Sequence, residues 1–390
     1  MNFMKKGFVF VLSFVLVFGT ALPVEASGHP TDEVSEAGQH LADVMDLILH
    51  RYVGDPVTLN ILMEAALRGM TDVLDQYSVY LSAAELDQFT QSLTGRLVGI
   101  GVSMLVRYDG RIEVARVLPS APAEAAGVLA GDIIVYVDGV NVDGYPTDIV
   151  AALITNPDTD RVLIGFERDG RIITFDILKA EIRSPTVVVD RLEQIPEAYG
   201  FDNLYHFRYM QISSVSLTTG DDVRRAISQM QAENVAGIII DLRGNTGGSL
   251  EITIDIANQL VPAGTVLQTV NQSGRRRTYS SVLPEAPFDN IVVLVNRFTA
   301  SAAEVIASAL QDADAAVIVG EQTFGKGLVQ SVYSLETGGA LMLTTEEYFR
   351  RSGHPINDIG IMPCILAQRT QNSERDDVLR TGLEILIGGL

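Results

Sequence analysis

Apolar positions along this chain change their period twice, and each change marks a different kind of structure. From about residue 31 to 91 they recur at helical spacing, as Leu41, Val44, Met45, Ile48 and Leu49 and then Leu62, Ala65, Ala66, Met70 and Val73. That is the signature of amphipathic helices, whose faces should pack within the chain or against a second copy. Between about 97 and 180 the period falls to two, in short runs broken by glycine: Arg111–Val117, Asp132–Val137, Val162–Glu167 and Arg171–Leu178. A small β domain is expected there. From about Ser184 onward, buried-strand runs alternate with helical ones. VAGIIID at Val235–Asp241 opens into Leu242-Arg243-Gly244-Asn245-Thr246-Gly247-Gly248, and IVVLVN at Ile291–Asn296 precedes a helix expected from Ser301 to about Asp312. Strand, glycine turn and helix in repetition predict a mixed α/β domain.

Ahead of these lie Lys5 and Lys6, an apolar run from Gly7 to Leu22, Pro23 and a small-residue site at Val24-Glu25-Ala26. This is the layout of a secretory signal cleaved after Ala26, with an uncleaved membrane anchor as the alternative. Either way the folded part is expected outside the cytoplasm, in a bacterial envelope, periplasm or medium. The expected division is a signal at 1–26, a helical region at 27–96, a β domain at 97–180, and an α/β core with a short C-terminal helix at 181–390. At 390 residues with 47% hydrophobic composition the chain can bury more than one core. A formal charge of −21 argues against nucleic acid or an anionic membrane surface as a partner through bulk electrostatics. Cys364 is the only cysteine, so an intrachain disulfide, a thiolate zinc site and a CxxC redox centre are all excluded. Export without disulfides fits a bacterial envelope protein.

Serine becomes a useful nucleophile only when a base takes its proton and donors stabilise the oxyanion. The histidines, His29, His40, His50, His206 and His354, lie in no recognisable motif, and there is no GxSxG elbow. What the chain offers instead is Thr299-Ala300-Ser301-Ala302-Ala303-Glu304 after a buried strand, then Thr323-Phe324-Gly325-Lys326-Gly327 leading to Gln330. Ser301-x-x-Glu304 has the form of a capping box, which by itself favours Ser301 as an N-cap, although the free first-turn N–H groups also suit a nucleophile there. Lys326 between two glycines is either a solvated loop residue or, in a dry site, a neutral amine base. Asp312 falls roughly 16 Å along the helix axis from Ser301, too far for a hydrogen bond, and reads as a helix-end residue. Arg243 reads as a structural clamp on the glycine turn, with an electrostatic role beside the oxyanion site as the alternative.

Taken together, these segments settle the choice by resemblance. Ser120-Ala121-Pro122-Ala123, Ala126-Gly127, Gly131-Asp132 and Asp138-Gly139 resemble the PDZ domain. Its carboxylate-binding loop corresponds to Gly99-Ile100-Gly101-Val102, and an added peptide strand is the mode of recognition implied. The series DLRGNTGG, VNRFTASAAE and GEQTFGKGLVQ, within a stretch from LDQYSVYL at Leu74 to GIMP at Gly360, resembles the C-terminal processing (tail-specific) peptidases. The resemblance implies a crotonase-like protease core with an inserted PDZ domain, Ser301 as nucleophile, Lys326 as general base and Gln330 orienting the lysine. It also implies an oxyanion hole from the N–H of Ala302 with that of Gly247 or Gly248. The substrates implied are proteins with free, apolar C-termini, and no metal, nucleotide or other cofactor is called for. Homodimerisation is left open. A non-catalytic PDZ scaffold on a degenerate protease body is the rival reading. Four residues of straight strand span about 13 Å, so a bend near Gly327 is required for Gln330 to meet Lys326. Thr299 stands where the family has serine, Cys364 where it has aspartate after Gly-Ile-x-Pro, and Ile154-Thr155-Asn156 where it has Ile-Arg-Gly. The tail after Leu366 has room for about one helix.

Overall fold

A computed structural model describes residues 15–16 and 31–388, apart from 95, 108–109, 146, 157–158, 184, 193–200, 202–203, 337 and 369–375. The expected signal at 1–26 therefore lies outside the described residues, except for 15–16. No helix among the described residues is long and apolar enough to cross a membrane. The chain divides into two compact units, Gly95–Ser184 and the remainder.

In the larger unit, a six-stranded sheet runs in the order Val187–Arg191, Phe207–Ile212, Gly237–Asp241, Asn290–Val295, Val317–Gly320, Ile365–Leu366. The first pair is antiparallel and the others are parallel. Alternate side chains of such strands leave opposite faces, so runs of unbroken apolar character signal a sheet covered on both sides. Ile238, Ile240, Val293, Val295 and Ile318 pack against the helices Thr219–Ala232, Leu250–Leu260 and Ala302–Asp312. Ile239, Val292, Leu294 and Val319 pack instead against Val378, Leu379, Leu383 and Leu386 of the C-terminal helix Asp377–Gly388. The short tail is thus committed to the core.

A second sheet carries the antiparallel strands Leu328–Ser334, Ala340–Arg350, Gly264–Asn271 and Arg276–Ser281, with Val79–Leu81 paired to Ala340–Arg350. The helices Asp32–Arg51, Leu59–Thr71 and Ala83–Thr94 precede and flank that short strand. Their apolar faces, whose packing within the chain or against a second copy the periodicity leaves open, are only partly covered in the single chain. Met45 is buried, but Val44, Leu49, Met70 and Val73 are exposed, the last at 81%.

The smaller unit is a sheet in the order Val102–Val106, Ile112–Val117, Ile133–Val137, Arg161–Arg168, Arg171–Leu178, all antiparallel. The helix Thr147–Thr155 covers its core of Ile112, Val114, Ile134, Val150, Ile154, Ile164 and Phe166. Chain entry and exit, Arg96–Gly99 and Ala180–Arg183, pair with each other. Val102–Val106 is an edge strand.

Candidate active site

The buried strand Asn290–Val295 ends in a turn that leads directly to Ser301. Thr299 secures that turn: its hydroxyl accepts from Asn296 N at 3.0 Å and donates to Leu242 O at 2.9 Å, while Ala300 N donates to Asn245 O at 2.9 Å. A hydroxyl is what this position needs, so threonine serves as serine would. Ser301 itself has φ 61° and ψ −121°, a conformation that disfavours any side chain and is maintained only by surrounding structure.

Glu304 supplies much of that restraint. Fully buried, it accepts from Ser301 N at 2.8 Å, Lys326 N at 2.9 Å, Gly325 N at 2.8 Å and Thr323 Oγ1 at 2.5 Å. Burial pushes its carboxyl above the usual range, against the lowering effect of these four bonds. One carboxylate thus ties together two segments expected to carry the chemistry. Glu304 N also donates to the Ser301 carbonyl at 2.9 Å, and Ser301 and Glu304 form the capping box that opens this helix. Ser301 Oγ is buried and faces the Tyr348 hydroxyl.

Lys326 is 0% exposed, not a solvated loop residue. Burial lowers its pKa from 10.5 to about 7, opposed by the charges of Asp75 and Glu304. Its main chain is gripped on both sides, by Glu304 at N–H and by the Tyr348 hydroxyl at the carbonyl. Its Nζ stands 4.4 Å from the centre of the Tyr77 ring. The flanking glycines allow close approach: a Cβ on Gly327 would lie 2.3 Å from Asn357 N. Gln330 is also fully buried, past a β-bulge between Val329 and Gln330 that supplies a bend in this strand. Its Nε2 donates to Thr344 Oγ1 at 3.1 Å, and its Oε1 has no hydrogen-bond partner.

The glycine turn after Gly237–Asp241 packs on the nucleophile. A Cβ on Gly247 would sit 2.8 Å from Ser301 Cβ and 3.0 Å from Ala302 N. The two glycine donors considered from sequence are not equivalent. Gly247 N donates to Asn245 Oδ1 at 2.8 Å, so it is occupied. Val215 N bonds Gly247 O and Ser249 N bonds Val215 O, both at 2.9 Å, which turns the Gly248 N–H to the opposite side. There, a two-residue strand, Val15–Leu16, lies parallel to Gly248–Ser249, with Leu16 also opposite Gln330. The gap between Gly248–Ser249 and Gln330 therefore accommodates one extended chain. Ala302 opens its helix, where N–H groups lack intrahelical acceptors. Of the two glycine N–H groups, that of Gly247 is taken by Asn245 and that of Gly248 faces the cleft.

Other candidates fall outside this cluster. Asp312 pairs with Arg350 and accepts from Ser352 N at 2.9 Å. Arg243 grips Asp241 and, through two bonds of 2.8 and 2.7 Å, Asp376 ahead of the C-terminal helix. His206 and His354 are exposed, the one against Tyr205 and the other against Ser352. Cys364 is exposed beside Gln311. In the smaller unit, Ile100 is buried, Gly101 has φ 80°, and the carbonyls of Ile100 and Gly101 accept from Ala123 N and Leu118 N at 2.8 Å. This holds the Gly99-Ile100-Gly101-Val102 loop at the start of the edge strand Val102–Val106. Among the described residues, Thr155 bonds its own helix, at Ala151 O, and brings no charge. Sequence reading missed Tyr77, Asp75, Asn245 and Tyr348, and gave Glu304 only its local role.

Residues 206–366 match peptidase family S41, and residues 113–168 match the PDZ domain. The chain is 30% identical over 353 residues to the carboxyl-terminal-processing protease of Synechocystis sp., covering 88% of this chain and 81% of that protein. It is 29% identical over 346 residues to the carboxy-terminal processing protease CtpB of Bacillus subtilis, covering 88% and 70%. Among solved structures, the photosystem II D1 C-terminal processing protease superposes with a TM-score of 0.50 at 29% identity, covering 86% of this chain and 88% of that one.

Proposed function

Because this chain belongs to the carboxyl-terminal-processing proteases of peptidase family S41, serine-type peptidases with a PDZ domain, we propose that Ser301 is its nucleophile and Lys326 its general base. The observation that carries this reading is a fully buried lysine, its pKa lowered to about 7, whose main chain is bonded to the same carboxylate that holds Ser301. A neutral Lys326 amine accepts the Ser301 proton as Oγ attacks the scissile carbonyl. The N–H groups of Gly248 and Ala302 stabilise the oxyanion, and the lysine then protonates the departing amine. Water, deprotonated by the same lysine, hydrolyses the acyl-enzyme. Gln330, with its free Oε1 acceptor, steadies the lysine in its ammonium form. None of these steps involves a metal or cofactor.

The Val15–Leu16 pairing supports an extended substrate chain in the cleft, running parallel to Gly248–Ser249. We read the protease body as crotonase-like, with a parallel sheet covered by helices on both faces. The PDZ unit, with its Gly99–Val102 loop at the head of an open edge strand, binds a free apolar C-terminus by strand addition. The leader-like first 26 residues support export to the cell envelope. The exposed apolar faces of Asp32–Arg51 and Leu59–Thr71 support pairing with a second copy.

The test is digestion of an unfolded protein by the wild type beside Ser301→Ala and Lys326→Ala. Both variants should be inactive with unchanged circular dichroism, and cleavage near the wild-type rate by either overturns the mechanism. A substrate with an amidated C-terminus should show a raised KM. Equal KM for amidated and free-acid forms refutes tail recognition.

A further inference from the structure

The Lys326 amine is walled by a turn from a distant part of the chain. Between the helix Leu59–Thr71 and the strand Val79–Leu81, Asp75 accepts from Tyr77 N at 2.8 Å, Ser78 N at 3.1 Å and Ser78 Oγ at 2.8 Å. These bonds fix the turn that lays the Tyr77 ring against Lys326 Nζ. The same carboxylate accepts from Thr344 Oγ1 at 3.0 Å, and Thr344 Oγ1 in turn accepts from Gln330 Nε2 at 3.1 Å. An ionised carboxylate only accepts, so Thr344 must give it the hydroxyl proton and take its own bond from the Gln330 amide nitrogen. That polarity leaves Gln330 Oε1 as an acceptor without a partner in the interior.

We propose that Asp75 is a positioning residue for the catalytic lysine, holding the Tyr77 wall with one set of bonds and setting the orientation of the Gln330 amide, through Thr344, with another. The proposal rests on Lys326 being the base. Among the described residues, the ionisable groups that bear on the amine come from three elements. Asp75 and Tyr77 come from the turn, Glu304 from the helix Ala302–Asp312, and Tyr348 from Ala340–Arg350, while Asp358 acts on Tyr77. Hydrogen bonds from Ser78, Tyr77 and Thr344 outweigh burial and keep Asp75 below the usual carboxylate range, so it is ionised wherever the enzyme works.

Two substitutions should move the lysine in opposite directions. Asp75→Asn removes a negative charge that favours the ammonium, lowering the Lys326 midpoint by about half a unit or more. Tyr77→Ala admits water to the amine and raises it, whereas Tyr77→Phe keeps the wall and the wild-type midpoint. Lys326 is one of four lysines in the chain, with Lys5, Lys6 and Lys179, so its titration can be followed by NMR of protein labelled at lysine Cε. Lys326→Arg identifies the resonance. Asp72→Asn, an exposed carboxylate nearby, is the control and leaves the midpoint in place. The acid limb of kcat/KM on a short activated ester should follow each midpoint, and Thr344→Val should lower kcat about tenfold with KM unchanged. A Lys326 midpoint identical in the wild type, Asp75→Asn and Tyr77→Ala overturns the proposal. So does an unchanged kcat in Thr344→Val, which decides the matter if Asp75→Asn does not fold. Midpoints that move while the acid limb stays put refute Lys326 as the base, a different failure from that of the anchor.

Discussion

A lysine buried for catalysis should weaken the fold in a pH-dependent way, and replacing Lys326 by methionine isolates the effect. Methionine keeps the length and apolar stem but does not titrate. The folded-state pKa of Lys326, about 7, lies below its value of 10.5 when exposed. Between those values the unfolded chain binds the proton and the folded one does not, so stability rises with pH across this window. Below about pH 7 both states carry the proton, and the fold bears the whole cost of a buried ammonium. At 1.36 kcal/mol per pKa unit, that cost is about 5 kcal/mol. Of this, about 2–3 kcal/mol should be recovered between pH 7 and 9. The assay is urea unfolding at pH 6, 7, 8 and 9, with Ser301→Ala in both proteins to prevent self-digestion. The methionine protein should be the more stable at pH 6, with the gap closing by that amount between pH 7 and 9. Gaps that stay constant across this range would mean that Lys326 is not a depressed, buried amine, and the physical basis for its role as base would go with it.

Two further outcomes follow from the glycine turn. Gly248→Ala would place a Cβ 1.9 Å from Val215 O and swing the oxyanion donor away, so kcat should fall by about 10²-fold or more while the fold survives; single-turnover acylation at the wild-type rate would refute the Gly248 assignment. Arg243→Ala leaves Asp241, 2% exposed, without its guanidinium, and should destabilise the larger unit by about 3–5 kcal/mol, read as a lowered urea midpoint with protease protection lost first at the C-terminal helix.

Local chemistry was legible in the sequence and long-range chemistry was not. Ser301 stood in a visible pattern of apolar run, small residues and glutamate at a strand-to-helix junction, but that pattern suits an N-cap as well, and its role as nucleophile came from resemblance. Lys326 and Gln330 came from resemblance, and the glycines around the lysine left a solvated loop open as a reading where the fold uses them for close packing. Glu304 was visible as a partner for a residue three positions away. Its bonds to Gly325 and Lys326, 21 and 22 positions on, were not. Gly247 and Gly248 looked alike because nothing in a run of glycines shows that an Asn245 side chain claims one N–H. The Thr344–Asp75 bond joins residues 269 positions apart. No periodicity reports such a pairing, which exists only because Val79–Leu81 docks on Ala340–Arg350. The helical faces were recognised from their spacing, but spacing does not distinguish a face covered by its own chain from one left open.

The pairing of Arg96–Gly99 with Ala180–Arg183 also bears on how the protein reaches its fold. Contacts between residues on either side of the PDZ unit are separated by about 90 residues of chain, and the entropy of closing so long a loop delays the contacts that depend on it. Once the inserted unit has folded, its two ends are held side by side and the effective loop shrinks to a few residues. Folding of the insert first would therefore speed assembly of the host, and the order of events follows the order of synthesis only in part. The same geometry makes the junction tolerant over evolutionary time. A domain of any size that starts and finishes on neighbouring strands could occupy this position, because its ends would be held side by side as Arg96–Gly99 and Ala180–Arg183 are.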